Sequence, residues 1–324
     1  MSTVLSGGGT SSGTGPRPNA TEPTKISIRR QSPRYGERAV MVFLGLASAL
    51  SVAITVGIVF ALLLPALDFF REVSVWDFLT GTRWAPTFSN ADFGVLPLIT
   101  GTLWTTVLAL LLAVPVGLGV AIYLSEYATP RVRKVLKPAL EVLAGIPSVV
   151  YGYFALAFVA PVVLEQIMRI ELGTYSVLAA GLVLGIMIIP TVASLSEDSL
   201  SAVPQSLRQG SLALGANRMR TTLRVVFPAA ISGIAASIVL ALSRAVGETM
   251  IVALAAGTQA QLVGKATDSG QTMTGFIAQT ATGESTPGTL GYNTLFAVGL
   301  LLFTITLLIN IISIRLVRRF REAY

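Results

Sequence analysis

The 324-residue sequence contains no cysteine and no histidine. Without thiols there is no disulfide, no thiolate nucleophile and no cysteine-ligated metal. Without imidazole there is no Ser-His-Asp triad, no Cys/His zinc site and no histidine proton relay. Charge is scarce as well. Asp, Glu, Lys and Arg make up 12% of the chain against roughly 25% in soluble domains, while 53% is hydrophobic and the mean hydropathy is +0.73. Too little polar surface is left to cover a water-soluble globule. A nucleotide-binding P-loop is missing too: Gly264-Lys265 would need Gly at 259 and Ser or Thr at 266, where the chain has Gln259 and Ala266. The chain is therefore not expected to hydrolyse nucleotide itself.

What the chain has is length of apolar run. Six segments, at residues 39–67, 98–124, 142–164, 175–195, 229–257 and 292–314, are each long enough to cross a hydrocarbon core of about 30 Å, which takes about 20 helical residues. None alternates in polarity over about 10 residues, as a barrel strand would. The predicted class is an all-α membrane protein with six transmembrane helices. Five of these segments hold no charged residue, and the fifth holds Arg244 and Glu248.

Ahead of the first span, residues 1–38 form a tail. Its first 24 positions are rich in Gly, Ser, Thr and Pro, which cannot bury enough apolar surface to offset the entropy of ordering. The predicted organisation is a disordered, basic tail over 1–38 and a membrane domain over 39–324. The net charge of +7 sits in short clusters between apolar runs, a mark of membrane topology and not of nucleic-acid binding. Of 23 basic residues, 18 fall on the N-terminal side of the membrane if the spans alternate. They are Arg17, Lys25, Arg29, Arg30, Arg34 and Arg38; Arg131, Arg133, Lys134 and Lys137; Arg208, Arg218, Arg220 and Arg224; and Arg315, Arg318, Arg319 and Arg321. The opposite side holds Arg71, Arg83, Arg169 and Lys265. The positive-inside rule then puts both termini in the cytoplasm of a multi-pass membrane protein in contact with lipid. Trp76 and Trp84, in the first outer loop, are expected in an interfacial aromatic belt.

The connection at 196–228 is too long and too amphipathic for a plain linker. It reads as two short helices. Pro204 opens the first, Leu207, Leu212 and Leu214 are its apolar positions, and Gly215 breaks it. A basic amphipathic piece follows over 218–227, and Pro228 is placed at the start of the fifth span, where a missing N–H costs nothing. The plainer reading is an interfacial helix on the headgroups.

Arg244 and Glu248 carry the strongest chemical signal. A charge near the bilayer centre costs about 2.5–3.5 kcal/mol on insertion scales. The i, i+4 spacing predicts both side chains on one helix face, though an Arg before a Glu is the weaker order for such a pair. Guanidinium suits a tetrahedral oxyanion, donating from a planar, permanently charged fork. The pair is therefore placed on a substrate pathway, against the alternative of a self-neutralising lock. Pro115, Pro147 and Pro190 each remove a backbone hydrogen bond from a span, as a hinge or as plain packing. Ser148, after the Pro147 bend, and Tyr151 join the candidate pathway.

Several stretches together carry a family resemblance. Gln209-Gly210-Ser211-Leu212-Ala213-Leu214-Gly215-Ala216 with Val226-Phe227-Pro228 resembles the EAA loop of ABC importer permeases, with Gln209 and Gly210 where that pattern has Glu-Ala. Phe93-Gly94-Val95-Leu96-Pro97, Gly145-Ile146-Pro147-Ser148 and Arg244-Ala245-Val246-Gly247-Glu248-Thr249-Met250 are similar to the PstC family of phosphate-importer permeases, over residues 38–320. The resemblance implies a type I, MetI-like permease fold with a coupling-helix loop at about 196–228. It implies that Gln209, Gly210, Ala213, Leu214, Gly215, Ala216 and Pro228 couple the chain to an ATPase. The implied partners are a PstA-like second permease, a PstB-like ATPase dimer that uses ATP and Mg, and a PstS-like extracellular phosphate-binding protein. This chain itself would bind no cofactor, hold no metal and catalyse nothing. A permease for molybdate or sulfate, or a gradient-driven transporter or channel, are the alternatives.

Overall fold

The computed structural model describes residues 35–319, apart from 87, 89, 284, 285 and 287. Most of the expected tail, residues 1–34, and the C-terminal residues 320–324 lie outside the described residues. The chain separates into two units, residues 1–55 and 56–324. In the first, the described residues belong to a long helix, α1 (Tyr35–Glu72), so residues 35–38 are helical and not tail. Val40, Met41, Val42, Phe43 and Leu44 each expose more than half their surface, which suits lipid and not water.

In the second unit α1 is followed by α2 (Val75–Thr80) and a short antiparallel hairpin of β1 (Trp84–Ala85) and β2 (Asp92–Phe93). Then come α3 (Leu96–Ile122), which widens into a π-wound turn over Tyr123–Tyr127, α4 (Pro130–Ala144), and α5 (Ser148–Phe154), which continues π-wound over Ala155–Ile167. After α6 (Val177–Ser201), the connecting loop holds α7 (Gln205–Ala213), α8 (Arg218–Thr221), a π-wound turn over Thr222–Val226 and α9 (Phe227–Ala229). The chain ends through α10 (Ile231–Gly247), α11 (Met250–Ala255), α12 (Met273–Thr282) and α13 (Leu290–Arg319).

Among the described residues, five helices are long and apolar enough to cross a membrane: Gly36–Glu72, Leu96–Tyr127, Ser148–Ile167, Val177–Ser201 and Leu290–Arg315. The pair Arg218–Ala229 and Ile231–Gly247, bent by 70°, makes a sixth if counted as one span. The protein is a multi-pass, mostly helical membrane protein. Several boundaries shift by a few residues from those read in the sequence, and two of the shifts have a clear local cause. The third span starts at Ser148 and not at 142, because residues 142–144 end the amphipathic α4. That helix carries Arg131, Arg133, Lys134 and Lys137, and Thr129 caps it by accepting from the Val132 N–H. The fifth span begins at Ile231, after the bend. Pro228 sits before the bend, in α9, and not at the start of the span.

The core is a close approach of α3 and α6. In membranes helices gain little from hydrophobicity and associate through small residues that let backbones approach. Gly181 and Gly185, one turn apart on α6, face Thr105, Leu108, Ala109 and Leu112 of α3. A Cβ on Gly181 would lie 2.7 Å from the Leu108 Cβ, and one on Gly185 would lie 2.9 Å from the Ala109 carbonyl oxygen. A second cluster gathers Phe69, Phe78, Trp84, Phe93 and Phe276 in edge-to-face pairs. It corrects the reading of Trp84 as an interfacial belt residue. Trp76 is 73% exposed, but Trp84 is 6% exposed, turned inward by β1 onto Phe276 at 5.0 Å.

Candidate translocation site and coupling face

α10 has 17 residues, about 25 Å of helix, short of the roughly 30 Å hydrocarbon core. It ends at Gly247, a poor helix former. Glu248 follows in extended conformation, φ −67° and ψ 135°. The free backbone groups of the break are met locally. The Glu248 carboxylate accepts from the Met250 N–H at 3.2 Å and the Ile251 N–H at 3.5 Å, capping α11. The Glu248 carbonyl accepts from the Thr274 hydroxyl at 2.6 Å.

This break overturns the pairing expected from the i, i+4 spacing. The helix stops between Arg244 and Glu248, so they do not stack on one face, and no ion pair joins them. Arg244 instead reaches α6, its Nη1 donating to the Thr191 hydroxyl at 3.1 Å, and it stays exposed. Ser148 is half-buried at the start of α5, just after Pro147, where the chain is not helical. Tyr151 is buried, and its hydroxyl donates to the Leu143 carbonyl at 2.9 Å. Tyr151 thereby ties the start of the third span to α4. Pro115 and Pro190 sit inside α3 and α6, which run on through them; of the three prolines weighed, Pro147 is the one at a break.

The loop after α6 has the two-helix form read in the sequence. Gly215 adopts φ +84°, with nothing within 4 Å of where a Cβ would stand, so the constraint there is backbone conformation and not space. Gln209, Gly210, Ala213 and Leu214 are exposed, Leu214 to 91%, while Ala216 is half-buried and Pro228 exposed. A leucine so fully bared at a turn is an apolar knob without cover among the described residues.

Two ionic clusters near this loop were not foreseen. Glu197 on α6, with its side chain 4% exposed, accepts from Arg133 and, at 2.9 Å, from Lys137 of α4. Lys137 also pairs with Asp198 at 3.3 Å. The hydrogen bond to Glu197 holds the Lys137 ammonium pKa above its usual value, against partial burial. Arg208 on α7 pairs with Glu126, in the π-wound turn after α3, at 2.9 Å. In the sequence Arg133, Lys137 and Arg208 counted only toward the charge bias, because partners 60 or more residues away leave no local sign. Among the described residues no group of three or more acidic side chains is placed to hold a metal ion.

Residues 113–322 match the family described as the binding-protein-dependent transport system inner membrane component. The chain belongs to that family. The permease is 36% identical over 305 residues to a probable ABC transporter permease protein, YqgH, of Bacillus subtilis strain 168, covering 92% of this chain and 98% of that one. It is 33% identical to the phosphate transport system permease protein PstC of Mesorhizobium japonicum, covering 74% of this chain and 77% of that one. The corresponding figures for PstC 1 of Mycobacterium tuberculosis H37Rv are 34%, 75% and 81%. Among solved structures, a chain of the MetNI methionine ABC transporter in inward-facing conformations superposes with a TM-score of 0.51 at 22% identity, covering 71% of this permease and 95% of that chain. The fold is therefore that of a MetI-like ABC importer permease.

Because no hydrogen bond or ion pair joins Arg244 to Glu248, a double-mutant cycle of Arg244→Gln and Glu248→Gln should be additive within about 0.5 kcal/mol in thermal denaturation of the solubilised permease. A coupling energy above about 1 kcal/mol would restore the ion pair that their spacing suggests.

Proposed function

We propose that this permease forms, with a PstA-like second permease, the pore through which an ABC importer brings inorganic phosphate into the cytoplasm. The observation that carries this reading is the exposed Arg244 beside the break in the fifth span. A guanidinium bared to lipid is costly, so the face that carries it belongs against a water-filled path or a partner subunit. Half-helices that end within the membrane are a recurrent way to build a substrate site there. The relatives named as phosphate transport permeases favour phosphate over molybdate or sulfate as the oxyanion. Glu248 keeps its carboxylate on the α11 N–H groups, which leaves Arg244 free of a competing internal anion.

The work would come from a PstB-like ATPase dimer using ATP and Mg, with a PstS-like protein delivering phosphate from outside; this chain carries no ATPase site or cofactor of its own. Gln209, Gly210, Ala213, Leu214, Gly215, Ala216 and Pro228 belong to the docking loop. A bared Leu214 at a glycine turn suits insertion into an ATPase groove better than it suits a carrier that works alone. Both termini would be cytoplasmic, in a bacterial plasma membrane.

Phosphate uptake by the reconstituted importer tests the site. Arg244→Gln should lower uptake by at least about 30-fold, the low end of what losing one partner of a desolvated charge pair costs, while the complex still assembles. Arg244→Lys should recover part of it, having charge without the fork. Uptake near wild type in Arg244→Gln would refute the pathway role. Competition by excess molybdate or sulfate equal to that by phosphate would move the assignment to another oxyanion.

Gly215→Val forces a β-branched residue to φ +84° and should abolish binding-protein-stimulated ATP hydrolysis without loss of insertion, whereas Gly215→Asn should be milder. Normal stimulation in Gly215→Val would refute the docking role. Orientation is accessible because the chain has no native cysteine. Thr82→Cys and Ser206→Cys, both at exposed positions, should label from opposite faces with an impermeant thiol reagent. Labelling from the same face would refute the topology.

A further inference from the structure

α7 is poorly held by burial. It contains no fully buried residue, and Leu207 is its half-buried apolar contact with the bundle. A helix that receives force must nevertheless be fastened to what it moves.

The fastening is polar, and it is concentrated on Arg208. Its Nε and Nη2 donate to one oxygen of Glu126 at 3.2 and 2.9 Å. Nη2 also donates to the Leu200 carbonyl at 2.7 Å, and Nη1 donates to the Val203 carbonyl. One guanidinium thus joins α7 to the ends of two spans, α3 through Glu126 and α6 through Leu200. These spans are the pair whose backbones approach most closely at Gly181 and Gly185. Both charges are shielded, with side-chain exposures of 11% for Arg208 and 8% for Glu126.

The receiving element is unusual in its winding. Residues Tyr123–Tyr127 form a π turn, closed by the Ala128 N–H on the Tyr123 carbonyl at 2.8 Å. An extra residue in a turn rotates the side chains beyond it by about 100° relative to an uninterrupted α-helix. Here the turn presents Glu126 to Arg208 of α7, and Tyr127 to Arg218 of α8, whose guanidinium lies 5.8 Å from the ring centroid. The π turn is gripped by one arginine from each side of the Gly215 turn. Ser211 and Thr221, 3.0 Å apart through their hydroxyls, close the two helices on each other.

We infer that the Arg208–Glu126 pair is the transmission joint of the permease: displacement of α7 by the ATPase passes through it to α3 and α6 together. Arg208 and Glu126 are positioning residues and touch neither phosphate nor ATP. The inference rests on the reading of α7 as the docking helix, and it adds which two side chains carry the force and which spans receive it.

The test uses the whole importer in proteoliposomes, with phosphate uptake and ATP hydrolysis measured on the same vesicles. Glu126→Gln keeps the shape of the side chain and should leave the complex assembled and hydrolysing ATP, with phosphate imported per ATP reduced at least tenfold. A purely structural role would lower the thermal midpoint or the yield and leave that ratio unchanged. Because Arg208→Gln risks misfolding, a second arm replaces the pair covalently. The Glu126→Cys/Arg208→Cys double variant should be uncoupled, should regain at least half of the wild-type ratio when bridged by a bis-methanethiosulfonate reagent, and should lose it again on reduction. A ratio within twofold of wild type in Glu126→Gln or in the unbridged double variant overturns the inference. So does a bridged, assembled variant that stays uncoupled. Leu214→Glu, altering the exposed tip, separates the two levels. Normal ATPase attachment and coupling in Leu214→Glu would remove the docking reading and this inference with it. Uncoupling in Leu214→Glu but not in Glu126→Gln would remove this inference alone.

Discussion

Backbone polar groups inside a hydrocarbon slab have no water to bond, and that constraint shapes this permease from end to end. It dictates helices for the spans and makes every interruption expensive unless side chains step in. The break at Glu248 survives because its own carboxylate takes two N–H groups and a threonine 26 residues away takes its carbonyl. The same constraint explains why Glu248 is withdrawn from Arg244. The Glu248 Oε1 is held on the α11 N–H groups, past the point where α10 stops, so the guanidinium on the helix before it is left to α6 and to whatever lies beyond the exposed face.

The two ends of the bundle are built on different physics. Between spans, contact is made by the absence of side chains, as where Gly181 and Gly185 admit α3. At the end that carries α7, contact is made by paired charges: Arg133, Lys137 and Glu197 clamp α4 to α6, and Arg208 and Glu126 hold α7. Small residues give a seam that resists separation and sliding, while charge pairs give defined points of attachment between elements that bury little. A rigid pair of spans with a polar fastening at one end is suited to moving as a body.

What the sequence disclosed follows from the range of the interactions involved. Apolar run length is local, and it showed the membrane class and the spans to within a few residues except where an amphipathic helix abuts one, as at residues 142–147. Gly215 was legible because a turn of positive φ demands a particular residue. The end of α10 was not, since the run from 229 to 257 is uniformly apolar apart from the two charges, and the break depends on Thr274. The inward turn of Trp84 depends on a hairpin of two-residue strands and on Phe276, far along the chain. The bond from the Tyr151 hydroxyl to a carbonyl eight residues earlier was not legible either, since it crosses the non-helical stretch at Pro147. Glu126, Glu197 and Arg208 looked like scattered charges at loop ends, as long-range partners always do.

Leu214 carries a consequence for how the permease is made. An aliphatic side chain 91% bare at a glycine turn is apolar surface that only a partner can bury. Under the proposed docking, covering it adds to the stability of the assembled subunit over the subunit alone. The same leucine would then serve assembly twice, as a contact and as a reason for the complex to outlast its parts.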